Sequence, residues 1–277
     1  MKYLFIFIFF TTMCSYGQNN LVFDKKVIQS EDRWVAFPAD STGAYICGFI
    51  YIDSQAGLTL NYEGSFKIDE SGKFNLQKKE VDGYVKYRLT PNNLKVAFIP
   101  STKFSELGIN EIPDWLKFYK EDEGTVERQY KWGYMYNGWG ECEKALEFLN
   151  KAYKLNRQYE GLRVELAYSY NCLGNYNKAI KYLMESMREE SVTAYLIKEL
   201  IYSQAKNGDL VDAENTFDLF DSKISDKAYR PENAYNILQG YYLLKDIENF
   251  NRWLQKTDLE NNERFRSYVK QMINELK

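Results

Sequence analysis

Tyrosines at a fixed interval carry most of the binding chemistry this sequence offers. Tyr134, Tyr168 and Tyr202 recur with one constant spacing along the chain. One helical turn later Asn137 and Asn171 keep the interval, with Ala205 in third place, and one turn earlier stand Tyr130, Val164 and Lys198. Tyrosine offers a large contact area and a hydroxyl at little cost in side-chain entropy. Asparagine adds a donor and an acceptor suited to a peptide backbone. The set suits an extended polypeptide, or a polar chain such as a glycan. The competing reading has the rings packed on neighbouring helices and the amides in water.

Other chemistries are poorly supplied. The 277 residues include 24 Tyr but no His, so no side chain titrates near neutrality without a shifted pKa, and imidazole metal ligands are absent. A formal net charge of −3 with 27% charged residues argues against a broad nucleic-acid surface, which needs a basic excess. Asp53, Glu63, Asp69 and Glu70 are acidic, but nothing sets a pair at a working distance, and turn formation accounts for them. No nucleophile motif or metal-ligand cluster stands out, so neither an enzyme nor a cofactor or metal site is expected. Beyond Cys14 the cysteines are Cys47, Cys142 and Cys172, an odd number that forms no disulfide framework and matches no zinc spacing.

The elements that position the tyrosines repeat with them. Gly140, Gly174 and Gly208 share the tyrosine interval, as do Ala145, Ala179 and Ala213, then Leu149, Leu183 and Phe217, and upstream Trp132, Leu166 and Leu200. Two further offsets, Gly133 with Ala167 and Tyr136 with Tyr170, hold through two repeats. The glycines fall where one helix stops and the next turns back, the alanines where helices approach closely, and the large apolar residues in the seam between helices. This order resembles the tetratricopeptide repeat family over about 126–256, most closely in Leu166-Ala167, Tyr170, Gly174-Asn175-Tyr176, Ala179 and Leu183. Helices are predicted at 126–139, 141–154, 160–173, 176–188, 194–206 and 210–221. A fourth repeat is degraded: the period slips by a few positions after Ser222, and no Gly or Ala marks its turn. An amphipathic helix over 260–277 reads as the cap that a stack of repeats requires.

The resemblance implies a concave groove lined by the first helix of each repeat. Its lining would then be Tyr130, Tyr134, Asn137, Tyr168, Asn171, Lys198 and Tyr202, with a protein or extended peptide as partner and a glycan as the alternative. Some relatives grip a C-terminal carboxylate with Lys, Asn and Arg. Only Lys198, with Asn137 and Asn171 displaced by a turn, answers to that pattern, so such a clamp is not expected. The family's closing Pro is replaced by Arg157 and Ser191, and its early Trp by Gln129 and Arg163. Cys142 opens the second helix of repeat one and Cys172 ends the first helix of repeat two. Their ends should lie close, and a disulfide would form if the Cα atoms come within about 7 Å.

The N-terminal part reads differently. Lys2, the apolar run Tyr3–Phe10 and the small Ser15 and Gly17 read as a signal peptide, residues 1–17. Lipidation at Cys14 is the alternative, against which Met13 stands where small residues are usual. Residues 18–110 alternate as about seven strands, including a central Tyr45–Ile52 and a hairpin across Asp69–Lys73, and imply an antiparallel β-domain, a sandwich or rolled sheet. Gly48 within the central strand suggests a bulge or close contact. Residues 111–125 form a connecting helix, followed by the helical solenoid of 126–277. The expected fold class is α+β, with three clear repeats, one degraded repeat and a cap. The expected function is that of an exported interaction protein, periplasmic or secreted, acting as a scaffold or adaptor, with no integral membrane span in the mature chain.

Overall fold

The computed structural model describes residues 21–79, 83–189 and 191–276. The expected signal segment and Cys14 lie outside the described residues. The chain divides into two compact units, one made mainly of the strands up to Asp114, the other mainly of everything from Trp115 onward. The class is α+β: an antiparallel sheet in the N-terminal part, then a succession of helices. Among the described residues no helix is long and apolar enough to cross a membrane.

The strands are β1 (Lys25–Lys26), β2 (Arg33–Ala36), β3 (Tyr45–Asp53), β4 (Gly57–Ile68), β5 (Phe74–Lys78), β6 (Val85–Arg88) and β7 (Lys95–Phe98). They form one seven-stranded sheet in the order β1-β7-β2-β3-β4-β5, with β6 also on β4. Of the two forms expected, sandwich or rolled sheet, the two-sheet sandwich is corrected, because the described strands share one sheet. The strand β4 runs unbroken for 12 residues. Its first half pairs β6 (Thr59 opposite Arg88) and its second half pairs β5 (Ile68 opposite Phe74). One strand serving two partners keeps the whole set in a single sheet. The central place of β3 follows from its buried run from Cys47 to Ile52. Gly48 is a close contact, since a Cβ there would lie 2.4 Å from the Asn61 carbonyl oxygen. The core carries stacked Phe66 and Phe74, 4.6 Å apart, and Trp34 edge-on to Phe49. Asp69 caps its hairpin by accepting from the Ser71 hydroxyl, the Asn75 amide and the Lys73 and Ser71 backbone N–H groups, which together hold its carboxyl below the usual range.

A short helix α1 (Phe104–Leu107) follows. The connecting helix expected at 111–125 is only a 3-10 stretch, Asp114–Tyr119. Its last carbonyl, on Tyr119, accepts from the Arg128 guanidinium of the next helix. That helix is α2 (Val126–Gly138), capped by Thr125, and after it come α3 (Cys142–Leu155), α4 (Leu162–Cys172), α5 (Tyr176–Glu189), α6 (Ala194–Asn207) and α7 (Leu210–Lys223). Each agrees with its predicted span to within two residues. Gly140, Gly174 and Gly208 all take positive φ, 74°, 73° and 88°, the left-handed turn that a β-carbon disfavours. Ala145, Ala179 and Ala213 are fully buried. Gly133 marks a closer approach still: a Cβ would meet Leu149 Cγ at 2.3 Å.

Helix packing follows the same alternation. From α2 to α9 (Ile247–Thr257) consecutive helices pack on one another, and α2, α4, α6 and α8 (Arg230–Leu244) also form a contiguous row. The period slips before α8, and its turn into α9 is made by Lys245 at φ 55°. Trp253 of α9 lies edge-on to Phe217, and its indole N–H donates to the Ala234 carbonyl at 2.9 Å. The final helix α10 (Arg266–Glu275) buries Val269 and Met272, with Phe265 stacked on Tyr235 at 4.5 Å.

Candidate functional site

The residues singled out by spacing lie on α2, α4 and α6, three neighbours in one row. They divide into two groups. The tyrosines keep exposed surface: Tyr134 is 59% exposed, and Tyr130, Tyr168 and Tyr202 are half-buried. Tyr130 stacks on Tyr134 at 6.4 Å and tilts against Tyr159 at 5.1 Å. Gly161 leaves the space this requires, because a Cβ there would lie 3.0 Å from the Tyr130 hydroxyl. Tyr202 meets Tyr176 edge-on at 6.3 Å. The Tyr134, Tyr168 and Tyr202 series therefore presents aromatic surface on each of the three helices.

The asparagines do not face a ligand, and the expectation that they would is corrected. Asn137 and Asn171 are buried. Asn137 Nδ2 donates to the Glu165 backbone carbonyl (3.0 Å) and to Glu165 Oε2 (2.9 Å), while its Oδ1 accepts from the Ser169 hydroxyl at 2.7 Å. One repeat on, Asn171 Nδ2 donates to the Glu199 carbonyl (3.3 Å) and Oε2 (2.9 Å), and Ser203 donates to Asn171 Oδ1 at 2.7 Å. The amides do bind a peptide backbone, but it is that of the neighbouring helix. Every hydrogen-bonding group of each amide is used. The ladder has two rungs because Ala205 stands where a third Asn would be.

Lys198 is likewise engaged within the fold. Its ammonium lies 2.8 Å from Glu199 Oε1 and over the rings of Tyr195 and Tyr229, at 5.1 and 5.5 Å. Burial alone would depress the Lys198 pKa, but the adjacent Glu199 carboxylate outweighs it and the net shift is upward. Glu165, the counterpart of Glu199 one repeat earlier, is 4% exposed, and burial raises its carboxyl from 4.5 to about 7 against the opposing pull of the Asn137 hydrogen bond. This chain without histidine thus has a group that titrates near neutrality. Burial, and then the charge at Glu165, keeps the hydroxyls of Tyr130 and Tyr195 protonated well above the usual phenol range.

Spacing missed Tyr195, Tyr229, Glu165 and Glu199. A signal was available: Tyr229 follows Tyr195 by one full repeat interval, as Glu199 follows Glu165 and Ser203 follows Ser169. Cys142 and Cys172 are joined in a disulfide, with Cα atoms 6.3 Å apart, so the start of α3 is tied to the end of α4. Cys47 is a buried free thiol, and burial pushes its pKa up to about 12.

Compared with known proteins, the sequence matches no family model and has no significant match among curated proteins.

Proposed function

We propose that this chain is an exported interaction protein of the tetratricopeptide type, a scaffold or adaptor that holds an extended segment of a protein partner against α2, α4 and α6. The observation that carries the reading is the row of partly exposed tyrosines, Tyr134, Tyr168 and Tyr202, one on each of these neighbouring helices. The family reading draws support from the periodic series of Gly, Ala and large apolar residues coinciding with turns, close approaches and buried seams. The copied Asn–Glu–Ser rung adds a further element with the same period. Such rows of first helices form the concave binding surface in repeat proteins.

Export is supported by two features. One is the charge, apolar run and small residues of positions 1–17. The other is the Cys142–Cys172 disulfide, a bond that persists in oxidising compartments. With the asparagine amides consumed within the fold, what the row offers a partner is its tyrosine surface.

The test is a pull-down from cell-envelope extract with the wild type and a Tyr134→Ala/Tyr168→Ala/Tyr202→Ala variant. Specific partners are expected to be lost from the variant. Survival of every partner would refute the reading.

A further inference from the structure

Glu165 and Glu199 occupy the same place in consecutive repeats, but only one holds a cation. In both, Oε2 accepts from an asparagine of the preceding helix in the row. In the later repeat Oε1 is paired with the Lys198 ammonium at 2.8 Å, and that ammonium sits over two tyrosine rings. In the earlier repeat the residue at the lysine's position is Val164, one repeat interval before Lys198. Among the described residues, Glu165 Oε1 has no ion-pair partner and accepts no hydrogen bond, although the residue is 4% exposed.

Of the two rings under Lys198, Tyr229 has an aromatic counterpart one repeat earlier and Tyr195 does not, Gly161 standing at its place. Tyr195 stands one repeat interval before Tyr229 and feels the Glu165 charge, and so does Tyr130, which is stacked on the exposed Tyr134. A buried carboxylate with no cation in direct contact is costly to fold, and the Lys198 charge reaches Glu165 without forming an ion pair with it. A cation beside such a carboxylate and over tyrosine faces is held by both charge and ring quadrupoles. Lys198 shows that this scaffold accepts an ammonium in that setting.

We propose that Glu165, with Tyr130, Tyr134 and Tyr195, is a receptor for a cationic side chain, a lysine or arginine, of the bound polypeptide. The inference rests on the peptide-binding reading above and names what that face selects. In the later repeat the protein fills the equivalent place with its own lysine. In the earlier repeat the partner fills it.

The probe is a capped pentapeptide, acetyl-Gly-Ser-Lys-Ser-Gly-amide, titrated into the full mature chain with tyrosine ring resonances followed by NMR. A norleucine-centred peptide, equal in length but uncharged, is the control. The lysine peptide is expected to bind at least about ten-fold more tightly than the control and to shift Tyr130, Tyr134 and Tyr195. Glu165→Gln should abolish the preference while preserving the fold, because an amide oxygen can still accept from Asn137. Val164→Lys should abolish it by filling the place internally, with a fall in the Glu165 carboxyl pKa seen in carbon NMR. Equal binding of the two peptides, no binding of the lysine peptide up to about 10 mM, or an undiminished preference in Glu165→Gln would overturn the proposal. The tyrosine-variant pull-down reads the binding face separately: partners lost there, with no lysine preference here, overturns the cation receptor alone.

Discussion

Asn137 and Glu165 are joined twice, the Asn137 amide donating to both the backbone carbonyl and the carboxylate of Glu165 on the next helix of the row. Asn171 and Glu199 repeat the arrangement. A side-chain amide that binds a neighbouring main chain fixes both the spacing and the register of two helices. Apolar packing alone tolerates small slides. The ladder therefore holds α2, α4 and α6 in the alignment that places their tyrosines side by side.

Asn137→Ala is expected to destabilise the protein by about 2–3 kcal/mol, because it leaves Glu165 Oε2 without its donor in a buried place and removes the amide bond to the Glu165 carbonyl. Asn171→Ala should cost a similar amount. Urea unfolding followed by circular dichroism measures both. A loss within experimental error of zero would show that the amides are not structural.

The raised pKa of Glu165 gives a signed pH dependence. The folded protein binds this proton more tightly than the unfolded chain, with a pKa of about 7 against 4.5. The contribution is therefore fully present below about pH 4.5 and is lost as pH rises to about 7, by on the order of 3 kcal/mol. Lys198, Glu199, Tyr130 and Tyr195 are the titratable groups felt alongside it. The stability difference between Glu165→Gln and wild type should change by that amount between pH 5 and pH 8, in favour of the variant at the higher pH.

The disulfide closes a sequence separation of 30 residues, for which loop-closure entropy gives about 3–4 kcal/mol. Cys142→Ser/Cys172→Ser should lower the unfolding free energy by roughly that much. In the chain from Gln18 onward, iodoacetamide should leave the native, unreduced protein unlabelled and modify Cys47 only after unfolding, because its thiol is buried and its pKa raised to about 12. Labelling of Cys142 or Cys172 without reductant would contradict the pairing.

Lys245 occupies the left-handed turn that glycine makes in the three earlier repeats. Lys245→Gly should stabilise the protein by about 1 kcal/mol, since a side chain in this conformation is disfavoured by that order. A thermal melt that shows no gain, or a loss, would remove this explanation of the irregular turn.

The sequence made the helices legible because their period, glycines and alanines are local features that tertiary packing reinforces. The sheet was less so: the division of β4 between β5 and β6 is a pairing choice, and alternation along Leu58–Ile68 does not encode it. The asparagines were misplaced for a related reason. Their spacing identified a common face, but Glu165 lies well along the chain from Asn137, on another helix, and that relation acquires meaning only once two helices are docked. In the sequence Lys198 looks free for a ligand, because its partners, Glu199 and the Tyr195 and Tyr229 rings, come together only through the row.

The central claim is that the tyrosines of α2, α4 and α6 are the binding surface, and carbon-labelled tyrosine rings observed by NMR test it most directly. On addition of the captured partner, Tyr130, Tyr134, Tyr168, Tyr195 and Tyr202 should shift. Tyr84 and Tyr87 in the sheet unit and Tyr268 on α10, which are all exposed, should not. Shifts confined to Tyr84, Tyr87 or Tyr268, with the five helix-row tyrosines unmoved, would contradict the account.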